Sequence, residues 1–127
     1  MKIAKFETPK EVEDKILRTI EIAKNTGKIK IGTNETTKAI ERAHAKLVVI
    51  AEDVSPEEVV LHIAPLCDEK KIPYGYVKSR QELGRAAGID VSTASIAITQ
   101  EGDAKKDIEQ LISTINDMKR GGKTKEK

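Results

Sequence analysis

Three features of the sequence predict an α/β fold, a three-layer α/β/α sandwich with a roughly four-stranded mixed sheet at its centre. Stretches of helical periodicity alternate with short apolar or alternating runs, and the connections between them are short. One run, Leu47-Val48-Val49-Ile50, is apolar at every position, the pattern of a strand covered on both faces. The 127 residues suffice for one core, with no repeat or linker to mark a second. A single domain over residues 1–120 is expected, followed by a flexible polar tail over 121–127.

The elements follow in order. Thr8-Pro9-Lys10-Glu11 has the form of a capping box with proline at the first helical position, and Val12, Ile16, Ile20 and Ala23 recur at helical spacing. A first helix is expected from about Pro9 to Asn25. Lys28-Ile29-Lys30-Ile31 alternates polar with apolar, as a half-buried strand does. A second helix should run through Ala43, capped by Thr33 or Asn34. After the strand ending near Ala51, Ser55-Pro56-Glu57-Glu58 repeats the box and opens a helix that Pro65 should break before it continues to Lys70. The third strand is expected over Ile72 to Val77. Ser79-Arg80-Gln81-Glu82 starts a short helix that Gly88 can end. A fourth strand is expected from Ala94 to Thr99. Asp103 is positioned to cap a last helix bearing the apolar stripe Ile108, Leu111, Ile112 and Ile115.

Composition excludes several functions. The 44 charged residues nearly cancel, leaving a net charge of +2, so the global field favours neither a nucleic-acid-coating protein nor a membrane-surface one. Phe6, Tyr74 and Tyr76 are the only aromatics, too few for a protein that stacks successive bases of a single strand. Cys67 is alone and can form no internal disulfide or multi-cysteine metal site. With no apolar run of signal-peptide or membrane-span length, a cytoplasmic location with no membrane contact is expected.

Enzyme chemistry finds little support. Gly27 and Gly32 have the spacing of a phosphate-gripping loop, but Thr33 stands where its lysine belongs. Glu52-Asp53 at a strand end could hold a cation, but Asp53 and Ser55 are better explained as residues feeding a helix start, which needs no ligand. His44 and His62 have no ligand-spaced partner and read as surface residues. No catalytic residue, metal or cofactor is expected.

The charge that matters is local. Between Lys24 and Lys46 lie Lys24, Lys28, Lys30, Lys38, Arg42 and Lys46 against Glu35 and Glu41, a segment of +4 within a chain of +2. Lys28 and Lys30 share one strand face, while Lys38 and Arg42 share one helix face. Between these pairs sits Gly32-Thr33-Asn34-Glu35 at a helix amino terminus, whose N–H groups suit phosphate oxygens. The arrangement could hold an RNA backbone while Asn34 and Glu35 meet base edges, since a carboxamide both donates and accepts and a carboxylate accepts from guanine N–H groups. The competing reading is that Asn34 caps the helix and Glu35 complements its dipole.

The run from Lys28 to Arg42, KIKIGTNETTKAIER, resembles the signature of the kink-turn-binding family of large-subunit ribosomal proteins. The stretches 45–54, 67–74, Glu82-Leu83-Gly84 and Ala86-Ala87-Gly88-Ile89 match it in order and spacing, and the whole is most similar to the archaeal member shared by the ribosome and guide-RNA particles. The resemblance implies a non-catalytic α/β/α protein that binds a kink-turn or kink-loop, an RNA bend built on tandem sheared G·A pairs. It implies that Asn34, Glu35 and Lys38 meet the guanines, that basic side chains such as Lys28, Lys30 and Arg42 hold phosphates beside Gly32 and Thr33, and that a loop at Ile89-Asp90-Val91 covers the flipped-out nucleotide. The implied partners are ribosomal RNA, box C/D guide RNA with a Nop-domain scaffold and fibrillarin, box H/ACA guide RNA with the pseudouridine synthase complex, and RNase P RNA. The helix after Ser55-Pro56 is a candidate docking face for the scaffold. A protein–protein adaptor without specific RNA binding is the alternative reading.

Overall fold

The computed structural model describes residues 3, 4 and 6–119. Residue 120 and the polar tail expected over 121–127 lie outside them. The chain order is α1 (Lys10–Thr26), β1 (Lys28–Ile31), α2 (Thr33–Glu41), β2 (Leu47–Ala51), α3 (Glu58–Leu61), α4 (Ile63–Lys70), β3 (Tyr74–Val77), α5 (Arg80–Ala86), β4 (Ser95–Gln100), a 3-10 turn (Gly102–Ala104) and α6 (Lys105–Lys119). The four strands form one mixed sheet in the order β1-β4-β2-β3. β4 pairs antiparallel with both β1 and β2, whereas β2 and β3 run parallel. Helices α1, α5 and α6 pack together on one face of the sheet, and α2 and α4 on the other. This is the predicted sandwich.

Burial explains the layers. All five residues of β2 are buried, as an apolar run with helices on both sides requires. Ile16 and Ile20 of α1, Ile40 of α2, Ile63 of α4, and Ile108, Leu111 and Ile115 of α6 face this core. Ile112 is only half-buried at its margin.

Local capping departs from expectation at four helix starts. Ser79 does cap α5, its Oγ accepting from the N–H groups of Gln81 and Glu82 at 3.2 Å each. Thr8 does not cap α1: it is buried, its hydroxyl has no hydrogen-bond partner, and the helix begins after Pro9, with the Pro9 carbonyl accepting from Glu13. Ser55 does not cap α3, and the 3-10 turn that precedes α6 takes in Asp103. Neither Thr33 nor Asn34 caps α2, because the capping position falls on Gly32, which has no side chain to offer. The chain also breaks at His62 rather than Pro65. The shift has a physical reason: with the break at His62, Pro65 falls in the first turn of α4, where its missing N–H deprives no carbonyl.

Candidate nucleic-acid interface

The β1–α2 junction is built on Gly32. Its φ of 97° and ψ of 155° lie in a region that only glycine occupies readily, and this turn swings the chain from the edge strand directly into α2. The Gly32 N–H donates to the Ser95 carbonyl at 2.9 Å, and Thr33 Oγ1 lies 3.3 Å from Ser95 Oγ. The first turn of α2 is thereby tied to the start of β4. Asn34 and Glu35, on the second and third helical positions, are both exposed. Asn34 is not occupied in capping, and Glu35 faces Lys38 across one helical turn at 3.8 Å. Each member of that pair is about half exposed, and such a pair is worth at most about 1 kcal/mol. Both groups can therefore exchange it for a ligand at little cost.

An open groove of about 460 Å³ runs beside α2. Lys28 and Lys30 line it from β1, Glu35, Lys38, Ala39 and Arg42 from α2, and Ala43, His44 and Lys46 from the turn after it. Five of these side chains are basic and one is acidic. Thr99 and Gln100 complete the wall from β4. Their presence follows from the sheet: Lys28 pairs with Gln100 and Ile29 with Ile98, so Thr99 is an extra residue, a bulge that re-aims the strand end. Its hydroxyl donates to the Lys28 carbonyl at 3.3 Å.

Of the residues singled out by sequence, Lys28, Lys30, Glu35, Lys38 and Arg42 come together in the groove. Gly32, Thr33 and Asn34 stand at its head, on the turn and first residues of α2. Ile89, Asp90 and Val91 do not line it. They occupy the loop between α5 and β4, which enters β4 at Ser95, the residue that holds Gly32 and Thr33. Val91 is 68 % exposed, while Ile89 is half-buried. The loop is pressed onto α5 at Gly84, where a Cβ would run into the Val91 carbonyl oxygen. Sequence reasoning weighed His44 only as a metal ligand and did not pick out Thr99 or Gln100. The β4 pair carried no local signal, because only strand pairing brings it to β1.

The remaining candidates are accounted for structurally. The segment between Gly27 and Gly32 is strand β1, not a phosphate-gripping loop. Asp53 Oδ1 accepts from the Arg80 N–H at 2.9 Å, at the start of α5. His44 and His62 are exposed, and His62 Nε2 lies 2.9 Å from Thr37 Oγ1. Burial, with the Asp68 carboxylate beside it, pushes the Cys67 thiol up to about 12, so it stays protonated and non-nucleophilic. Among the described residues no group of three or more His, Cys, Asp or Glu side chains could hold a metal, and no helix is long and apolar enough to cross a membrane.

Residues 14–108 match the model of the ribosomal protein L7Ae/L30e/S12e/Gadd45 family. The chain belongs to that family. The sandwich is also similar to a solved structure described as a 15.5kD RNA binding protein from Giardia lamblia, at a TM-score of 0.85 and 28 % sequence identity, over 91 % of this chain and 96 % of that one.

Proposed function

We propose that the chain binds RNA, and that its target is a kink-turn or kink-loop with tandem sheared G·A pairs. The reading rests on one observation above all: Asn34 and Glu35 stand exposed at the head of a basic groove, with Asn34 not needed as a helix cap. A carboxylate inside a basic groove weakens phosphate binding, and its presence is explained if it accepts from guanine N–H groups. Asn34 offers a donor and an acceptor to the same pairs, and Lys38, leaving Glu35, donates to guanine O6 and N7. Lys28, Lys30 and Arg42 hold phosphates, and the uncapped first turn of α2, which opens at Gly32, offers the N–H groups of Thr33, Asn34 and Glu35 to the backbone, the Gly32 N–H being held by the Ser95 carbonyl. Val91, with Ile89 and Asp90, covers the extruded nucleotide. Binding the bent form preferentially shifts a bent–extended equilibrium of the RNA, so the protein acts as a shaping subunit.

In this reading residues 1–120 act as one RNA-binding domain in the cytoplasm. The protein serves as a large-subunit ribosomal protein and as the nucleating subunit of two guide particles, one with box C/D RNA, a Nop-domain scaffold and fibrillarin, the other with box H/ACA RNA and the pseudouridine synthase complex. RNase P RNA is a further target of the same kind. Gel-shift titration of a kink-turn RNA against a version lacking the two G·A pairs tests the core of the reading. Tighter binding to the intact bend is expected, and equal affinity for the two would contradict it.

A further inference from the structure

The groove extends well past the residues assigned to base recognition. From Glu35 to Arg42 is seven helical steps, roughly 10 Å, or about three nucleotides along one strand. Beyond Arg42 the chain turns through Ala43, whose φ of 58° is left-handed, and the His44 N–H closes on the Ala39 carbonyl at 2.8 Å. This turn brings His44 and Lys46 back beside Arg42 in the same groove. Opposite them stand Lys28 and the β4 bulge with Thr99 and Gln100. Glu35, the one acidic side chain lining the groove, lies near its other end. The far half therefore offers cations and neutral donors with no acidic side chain.

We infer that this far half, formed by Arg42, His44, Lys46, Thr99 and Gln100, is a second RNA subsite that grips the phosphate backbone of the helical stem adjoining the bend. It deepens the RNA-binding reading and rests on it. The donors are suited to phosphates rather than bases: a guanidinium, an ammonium, an imidazole and a carboxamide, open to solvent, with the Thr99 hydroxyl turned onto the Lys28 carbonyl between them. A strip of this kind carries no sequence preference, so it adds affinity in proportion to the length of stem that reaches it. Lys46 is exposed, so its replacement by alanine is expected to leave the fold intact.

The experiment compares Lys46→Ala and the wild-type protein on two kink-turn RNAs, one with a full flanking stem and one with that stem cut back to the G·A pairs, each alongside its counterpart lacking the pairs. Lys106→Ala, an exposed lysine of α6 on the opposite face of the sheet, controls for net charge. On the long-stem RNA at low salt, Lys46→Ala is expected to bind about tenfold more weakly, with the salt slope reduced by about one unit. The loss should vanish on the short-stem RNA, discrimination for the G·A pairs should hold on both, and Lys106→Ala should match wild type. If wild type discriminates but Lys46→Ala binds the long stem equally well, or if Lys106→Ala loses as much, the second subsite is wrong and the RNA reading stands. If wild type does not discriminate at all, the RNA-bend reading itself fails.

Discussion

The two edges of the sheet spend their residues in opposite ways. At the β3 edge every residue, Tyr74 through Val77, is buried, and the chain's three aromatics meet there: Phe6 lies 5.0 Å from Tyr76 and 6.1 Å from Tyr74, ring centre to ring centre, and the two tyrosines are 5.9 Å apart. Lys119 stacks over Tyr74 and pairs with Asp68 at 3.1 Å, closing that edge with the end of α6. At the β1 edge, by contrast, Lys28 and Lys30 are exposed on a four-residue strand, and the groove beside them is lined by no Phe, Tyr or Trp. The contrast explains how a protein this poor in aromatics can still recognise a polyanion. Its rings stabilise one edge of the core, and in the proposed reading recognition at the other is left to charge and to directional hydrogen bonds. Lysines on an exposed edge strand also discourage pairing with another sheet, so in the proposed reading the same residues serve solubility and binding.

The comparison can be broken or sharpened by substitutions on either side. The largest effect is expected at the aromatic edge: Tyr76→Ala, which removes a fully buried ring, should cost about 3–5 kcal/mol in a denaturant titration. RNA affinity of the folded fraction should be unchanged, because the groove lies at the other edge. At the β1–α2 turn, Gly32→Ala should cost about 1–3 kcal/mol through backbone strain alone, since a Cβ there meets nothing within 4 Å. Unlike the tyrosine variant it should also weaken RNA binding, by misaiming the first turn of α2. The smallest change is expected for Lys30→Ala, exposed on β1: stability unaltered, all RNAs weakened alike, and a salt slope lower by about one unit. A sequence-dependent loss in that variant would move Lys30 from the phosphate contacts to the base contacts.

The fold was largely legible in the sequence because periodicity records burial, and burial decides the layers. The alternation of Lys28-Ile29-Lys30-Ile31 announced a half-buried strand and the unbroken apolar run at Leu47–Ile50 a strand covered on both faces, and the structure sets the first at an edge of the sheet and the second inside it. Capping was less legible. The boxes opening at Thr8, Ser55 and Ser79 look alike in sequence, yet only Ser79 caps, because the pattern cannot say whether a side chain will be drawn into the core, as Thr8 is. The break at His62 had no local mark, and Pro65 pointed three residues downstream of it. For the candidate site, the residues contributed by β1 and α2 were adjacent in sequence and therefore visible together. Thr99 and Gln100 were not, since a strand pairing across seventy residues and a one-residue bulge put them there. The structure also removes one of the two roles that sequence left open for Asn34, while Glu35 keeps its place in the first turn of α2. Asn34 could have been a cap, but the capping position belongs to Gly32, and Asn34 is left exposed on the helix.

The centre of the account is that Asn34 and Glu35 read the G·A pairs, and Glu35→Ala tests it most directly. The ratio of affinities for a kink-turn RNA and for the same RNA without its G·A pairs would be measured for wild type and variant in one buffer. The account predicts that the ratio falls toward one in the variant while binding to the control RNA holds or strengthens, because a carboxylate has left a basic groove. A ratio equal to that of wild type would contradict it.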